Sequence, residues 1–309
     1  MRMVLDLAHL LLALEQAAGG GPGRVALHCS PENGQLATVW LDGPRICWVE
    51  PAPADSGLVD RLLERTRWSR QRLHELCRAA QDGRRNVFEL LLETAPLEPE
   101  ELSRLIGCHL VGALAALADS AHQPPARPGS WARSGPAPGC SRFHFSAPQL
   151  LAAALPRSSP TAARLGTPPA FFSTTLAAVG TALCYLETGD RTLPALPLVT
   201  AGLPELGLSG ALRLYRAALR LASPPLADLQ SIRPFAALAR QADRGWLVAR
   251  QPPYLFVFRL TAPGDYGLLL NTLRAARLPS EQERPSAGEA PLDLAPFNRP
   301  AATRVGHLP

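Results

Sequence analysis

Residues 36–49 read LATVWLDGPRICWV, two runs rich in β-branched and aromatic side chains that pivot on Asp42-Gly43. An Asp-Gly pair supplies the positive φ angles that a tight hairpin turn demands, so the stretch predicts an antiparallel hairpin with Asp42 and Gly43 at its tip. Upstream, residues 3–18 place Leu7, Leu10, Leu11 and Leu14 on one helical face, and the GGGPG of 19–23 stops that helix. Residues 24–29 then alternate as a strand, and 30–34 form a turn. Downstream, a Pro/Ala linker at 51–54 leads to helical stretches near 57–67, 69–82, 86–94 and 99–118. The last is opened by Pro99-Glu100-Glu101, whose carboxylates suit a helix N-terminus. Residues 120–139 are too rich in Pro, Gly and Ser to predict regular structure, and Arg142-Phe143-His144-Phe145 alternates like a short strand returning to the hairpin.

The second half begins after Pro156 and a Ser/Pro/Thr linker. Thr167-Pro168-Pro169 predicts the cap of a helix running to about residue 178. Strands follow at 181–187 and 193–199, and the prolines at 194 and 197 count against a central position for the second, which is read as an edge strand or an irregular one. Residues 208–222 form a helix with Leu208, Ala211, Leu212, Tyr215, Ala218, Leu219 and Ala222 on one face and Arg213, Arg216 and Arg220 on another. FAALAR, GWLVAR and YLFVFRL predict three more strands, the last with Tyr254, Phe256 and Phe258 on one side. Pro263-Gly264-Asp265 then caps a final helix, and everything beyond Pro279 reads as a flexible tail.

Composition removes several kinds of chemistry. The chain has 309 residues, enough for two domains, and a hydrophobic share of 47% that fits a folded protein. All 31 basic residues are arginine. Without lysine there is no phosphate loop ending in Gly-Lys-Ser/Thr, no Schiff base and no lysine general base. A net charge of +5 carried by scattered arginines argues against nucleic acid as a partner. Six cysteines occur singly with no Cys-x-x-Cys pair, which predicts reduced, packed thiols and no metal. Asp6, His9 and Glu15 interrupt the leucine-rich amino terminus, which makes it an amphipathic helix of the folded protein rather than an export signal. With no uninterrupted apolar run of membrane-spanning length, a cytoplasmic location is expected.

Residues 207–211, GLSGA, lack the final glycine of a nucleophile elbow, and Ser209 is expected to cap the helix beginning there. Glu98, Glu100 and Glu101 are partners of a helix dipole rather than an acid/base pair. His28, His74, His109 and His144 show no catalytic partner in the sequence. The expectation is therefore a protein without catalytic residues or cofactor.

The order helix, strand, Asp-Gly hairpin, helical run and closing strand resembles a PATAN-type domain, found in bacterial response-regulator and gliding-motility proteins, over roughly residues 3–146. The matching pieces are LDLAHLLLAL as the opening helix, GRVALHC as the first strand, VWLDGPRICWVE as the hairpin and SRFHF as the closing strand. Ser141 stands where the family carries glycine, and a long insertion precedes it. Residues 58–111 are similar to the amino-terminal helical domain of secretion ATPases, some of which bind a cyclic dinucleotide through an Arg-Leu-Gly triplet. Here Asn86-Val87-Phe88 occupies that place, leaving Arg84 and Arg85 as the alternative anion contacts. Residues 165–278, in the order helix, two strands, helix, three strands, helix, resemble the roadblock/dynein-light-chain family, whose members dimerise and serve as platforms for Ras-like GTPases.

These readings together predict an α+β protein of two domains. Residues 1–150 form an antiparallel sheet with a helical insert at 58–118 and a Pro/Gly-rich loop at 120–139. Residues 160–278 form a roadblock-like α-β-β-α-β-β-β-α sandwich, and 279–309 form the tail. The function implied is that of a non-catalytic bacterial signalling or motility adaptor, a homodimer that contacts a protein such as a small GTPase or response regulator. Its candidate interface residues are Arg213, Arg216, Arg220 and Trp131, the last exposed in the Pro/Gly loop. The alternative is a sensor that binds a small anion such as a cyclic dinucleotide at Arg84 and Arg85.

Overall fold

The computed structural model describes residues 1–18, 22–28, 35–50, 57–83, 85–118, 127–133, 143–203, 206–222, 235–241 and 244–260. These residues form a mixed α+β structure with two antiparallel sheets of five strands each. The chain opens with α1 (Arg2–Ala18), followed by the meander β1 (Pro22–His28), β2 (Gln35–Asp42) and β3 (Arg45–Glu50). Four helices come next: α2 (Leu58–Thr66), α3 (Arg70–Asp82), α4 (Val87–Thr94) and α5 (Pro99–Ala118). Two further strands, β4 (Arg127–Arg133) and β5 (Phe145–Ser146), complete the first sheet in the order β4-β1-β2-β3-β5. The predicted hairpin and the closing strand therefore do share one sheet, through Arg45↔Ser146 and Ile46↔Phe145.

The hairpin tip differs from the sequence expectation by one residue. Asp42 pairs with Arg45, so the turn residues are Gly43 and Pro44, and Gly43 carries a φ of +58°. Proline's ring holds φ near −65°, which rules out two consecutive positive angles and leaves the turn pattern that needs only a leading glycine. Beyond the tip the register shifts between Trp40 and Leu41, leaving Cys47 as the extra residue on β3.

The Pro/Gly-rich stretch corrects a second expectation. Residues 127–133 are not irregular but form β4, an edge strand paired with β1 from Gly23↔Arg133 to His28↔Arg127. Pro128 is tolerated because an edge strand has only one neighbour to donate to, and the pairing is interrupted between Val25 and Leu27. The main chain of Trp131 lies opposite Val25. The returning strand is shorter than predicted, with Phe143 and His144 outside it.

The chain continues through α6 (Ala147–Ser158), and the Ser/Pro/Thr stretch expected as a linker after Pro156 includes α7 (Pro160–Gly166). A capping box at Ser146 and Gln149 starts α6, and Ser159 caps α7 through the Ala162 amide. The helix α8 (Ala170–Val179) has Pro169 at its cap position, which offers no side-chain acceptor, and the expected capping residue Thr167 instead donates its hydroxyl to the Ala163 carbonyl of α7. The remaining elements are β6 (Ala182–Glu187), β7 (Ala195–Ala201), α9 (Leu208–Ala222), β8 (Phe235–Gln241), β9 (Arg244–Gln251) and β10 (Tyr254–Leu260). Their sheet runs β7-β6-β10-β9-β8, with the proline-bearing β7 on an edge as expected. The predicted helix at 263–276 and the tail lie outside the described residues.

Period-two alternation buries both faces of this second sheet. Tyr254, Phe256 and Phe258 join Cys184 and Leu186 in a core that also takes in Phe172 of α8 and the leucines of α1, α5 and α6. Leu183, Tyr185, Val248, Leu255 and Val257 face α9 through Ala211, Tyr215 and Ala218. Leu7, Leu11 and Leu14 are fully buried, each contributing about 1.5–3 kcal/mol of transfer free energy. The helix α5 is long and apolar enough by length and composition to cross a bilayer, although Glu100, Glu101 and Arg104 interrupt it. Leu102, Ile106, Leu110 and Leu114 on it are nonetheless buried in this core.

Candidate functional site

The chemistry-bearing side chains of the first sheet meet near the tip of the hairpin. His144 Nδ1 lies 3.4 Å from Cys47 Sγ and 3.5 Å from Asp42 Oδ2. A nucleophilic relay needs thiol and carboxylate on opposite ring nitrogens, whereas here both approach the same one. Burial, and then the Asp42 charge, push the Cys47 thiol up to about 12 against the opposing pull of Arg45. The thiol stays protonated at neutral pH, which suits packing and not attack. Cys77, Cys108 and Cys184 are also free thiols, and Cys29 and Cys140 lie outside the described residues. Among the described residues no three His, Cys, Asp or Glu side chains gather as a metal site.

The helical insert positions its residues for packing. Asn86 caps α4 by accepting from the Phe88 and Glu89 amides, and Phe88 is buried between Trp48 and Phe143. Trp48 stacks on His109 at 5.0 Å. Arg85 is ion-paired with Glu93, so this guanidinium is already engaged, and Arg84 lies outside the described residues. Glu101, from the acidic cluster at the start of α5, pairs with Arg65 at 3.3 Å.

Arg213, Arg216 and Arg220 are all exposed along α9, whose other face is buried against the second sheet. The helix carries no acidic residue. At 1.5 Å rise per residue the three guanidiniums line about 10 Å of one helix side. Behind them, Tyr185 donates its hydroxyl to the Ala211 carbonyl at 2.9 Å, and Tyr215 donates to Glu187 at 3.1 Å. Glu187 is also held by two nitrogens of Arg250. These bonds fix the buried side of α9 and hence the direction of the arginine stripe.

A feature the sequence did not disclose lies at the start of α9. Ser209 does not cap this helix, contrary to expectation. Gly207 occupies the cap position, its carbonyl accepting from the Ala211 amide, and has no side chain to offer. The cap comes instead from Glu15 of α1, whose Oε1 accepts from the Leu208 amide at 2.5 Å and whose Oε2 accepts from the Ser209 amide at 2.9 Å. Glu15, Pro44, Gly207, Ser209 and Arg213 line an open cavity of about 290 Å³, at the small end for a ligand pocket. The signal in the sequence was an acidic residue, Glu15, in the last turn of a helix that has no basic residue there to offset it.

The fold and this site define the class only as far as an α+β protein with two antiparallel sheets. No family model matches the chain, and no curated protein and no solved structure matches it.

Proposed function

We propose that this chain is a non-catalytic adaptor of a bacterial signalling or motility pathway, acting through protein–protein contact from a PATAN-like first half and a roadblock-like second half. The observation that carries the reading is the α9 stripe: three exposed arginines on one side of a helix whose opposite side is fixed against a sheet. Charge complementarity of this kind steers association with an acidic surface, such as that of a small GTPase or response regulator. The order α8, β6, β7, α9, β8, β9, β10 supports the roadblock-like reading of the second half. The strand β8 ends the described sheet and offers main-chain groups to a second copy. Arginine stripes facing each other across a two-fold axis would repel, so the dimer contact is assigned to β8 and the stripe to the partner.

The test compares the wild-type chain with R213E/R216E/R220E as bait in extract of the native host, with light scattering on both. A dimer in both cases, and an acidic protein retained by the wild type and lost by the charge-reversed variant at unchanged thermal stability, supports the adaptor. Equal retention by both variants, or a nucleotide bound with no protein retained, overturns it.

A further inference from the structure

We infer that Glu15 is an intramolecular latch joining α1, the hairpin turn and the N-terminus of α9, so that α9 does not loosen without loosening the hairpin. A carboxylate in the last turn of a helix is disfavoured by that helix's own dipole, and α1 has no basic residue in its last turn to offset it. At the other end of the contact, α9 presents the positive pole of its dipole and first amides that Gly207 leaves without a side-chain cap. Each end supplies what the other lacks. The hairpin is locked into the same contact, because a Cβ on Gly207 would lie 2.7 Å from Pro44 Cβ and 2.9 Å from Glu15 Oε1. The backbone of α9 therefore approaches the turn more closely than any residue but glycine allows.

The same helix holds the second half at another point. His9 Nε2 lies 2.9 Å from Thr192 Oγ1, and the Thr192 hydroxyl is 2.6 Å from Asp190 Oδ1. The carboxylate only accepts, so the Thr192 hydroxyl donates to Asp190. Glu15 is thus the tie to α9, and His9 is a separate tie to the loop between β6 and β7.

Hydrogen exchange read by mass spectrometry on the full chain tests the latch with Glu15→Ala and Glu15→Gln. With Glu15→Ala, exchange should rise roughly tenfold in peptides covering 206–212 and also in those covering the hairpin at 39–48. Adding acetate, with chloride at matched ionic strength as control, should restore protection at 206–212, because a free carboxylate refills the seat. It should not restore the hairpin, because acetate carries no tether to α1. Glu15→Gln keeps the shape, loses one acceptor and should fall between the two proteins, which keeps the test open if the alanine variant does not fold. Unchanged exchange at the hairpin would reduce Glu15 to a local cap and overturn the latch. Unchanged exchange at 206–212 would overturn the contact itself.

Discussion

Gly207→Ala is the substitution whose cost follows most directly from the geometry. The added carbon would sit 2.7 Å from Pro44 Cβ and 2.9 and 3.0 Å from the Glu15 carboxylate oxygens. Carbon–carbon contacts settle at about 3.5–4.0 Å, so the turn must withdraw by roughly 1 Å. Pro44 belongs to a two-residue turn and has a closed ring, so no free side-chain end yields in its place. Overpacking of this kind costs about 1–3 kcal/mol. Displacing Glu15 also stretches its bonds to the Leu208 and Ser209 amides, and a hydrogen bond to a charged group is worth about 1.5–3 kcal/mol. Together these give a loss of about 2.5–6 kcal/mol, a large part of the 5–15 kcal/mol typical of folded domains.

Urea titration followed by circular dichroism should show this as a lower midpoint with an unchanged slope. Gly189→Ala is the control. Gly189 has a φ of +77° and open space at its Cβ, so only backbone strain of about 1–2 kcal/mol is at stake. If Gly207→Ala cost no more than Gly189→Ala, the close approach of α9, α1 and the turn would be refuted.

Phe256→Ala should cost about 3–5 kcal/mol, because the ring is fully buried among Phe171, Phe172, Tyr254 and Phe258, and thermal unfolding measures the loss. Alkaline pH should destabilise the chain. Tyr215 is pushed up to about 12 by burial and by Glu187, and Cys47 reaches the same value. Both groups hold their protons longer folded than unfolded, so the folded state binds more protons between pH 9 and 12 and stability falls as pH rises through that window. Absorbance of tyrosinate and thiolate should accordingly rise together with the loss of circular dichroism. Asp190 shows the opposite sign: the Thr192 hydroxyl and the Leu193 and Thr192 amides hold its carboxyl down at about 2. Its contribution is present above the usual value near 4 and is lost as pH falls toward 2, so Asp190→Asn should flatten the acid limb of a pH–stability curve.

Sequence by itself determined the features whose causes are local. The apolar spacing of Leu7, Leu11 and Leu14, the alternation through residues 254–260 and the proline-marked edge of β7 each express a period or a dihedral limit set within a few residues. The arginine stripe of α9 belongs to the same group, since helical spacing alone separates it from the apolar face. Tertiary structure decided what depends on partners distant in the chain. β4 is a strand because β1 leaves an edge for it, although its own composition favours a loop. The turn moved onto Gly43-Pro44 because the pairing of Asp42 with Arg45 fixed the register. Cys47 met His144 across 97 positions, and Glu15 met Leu208 across 193. No period in the sequence encodes those separations; they arise when buried faces are packed and the polar groups left at the seams find one another.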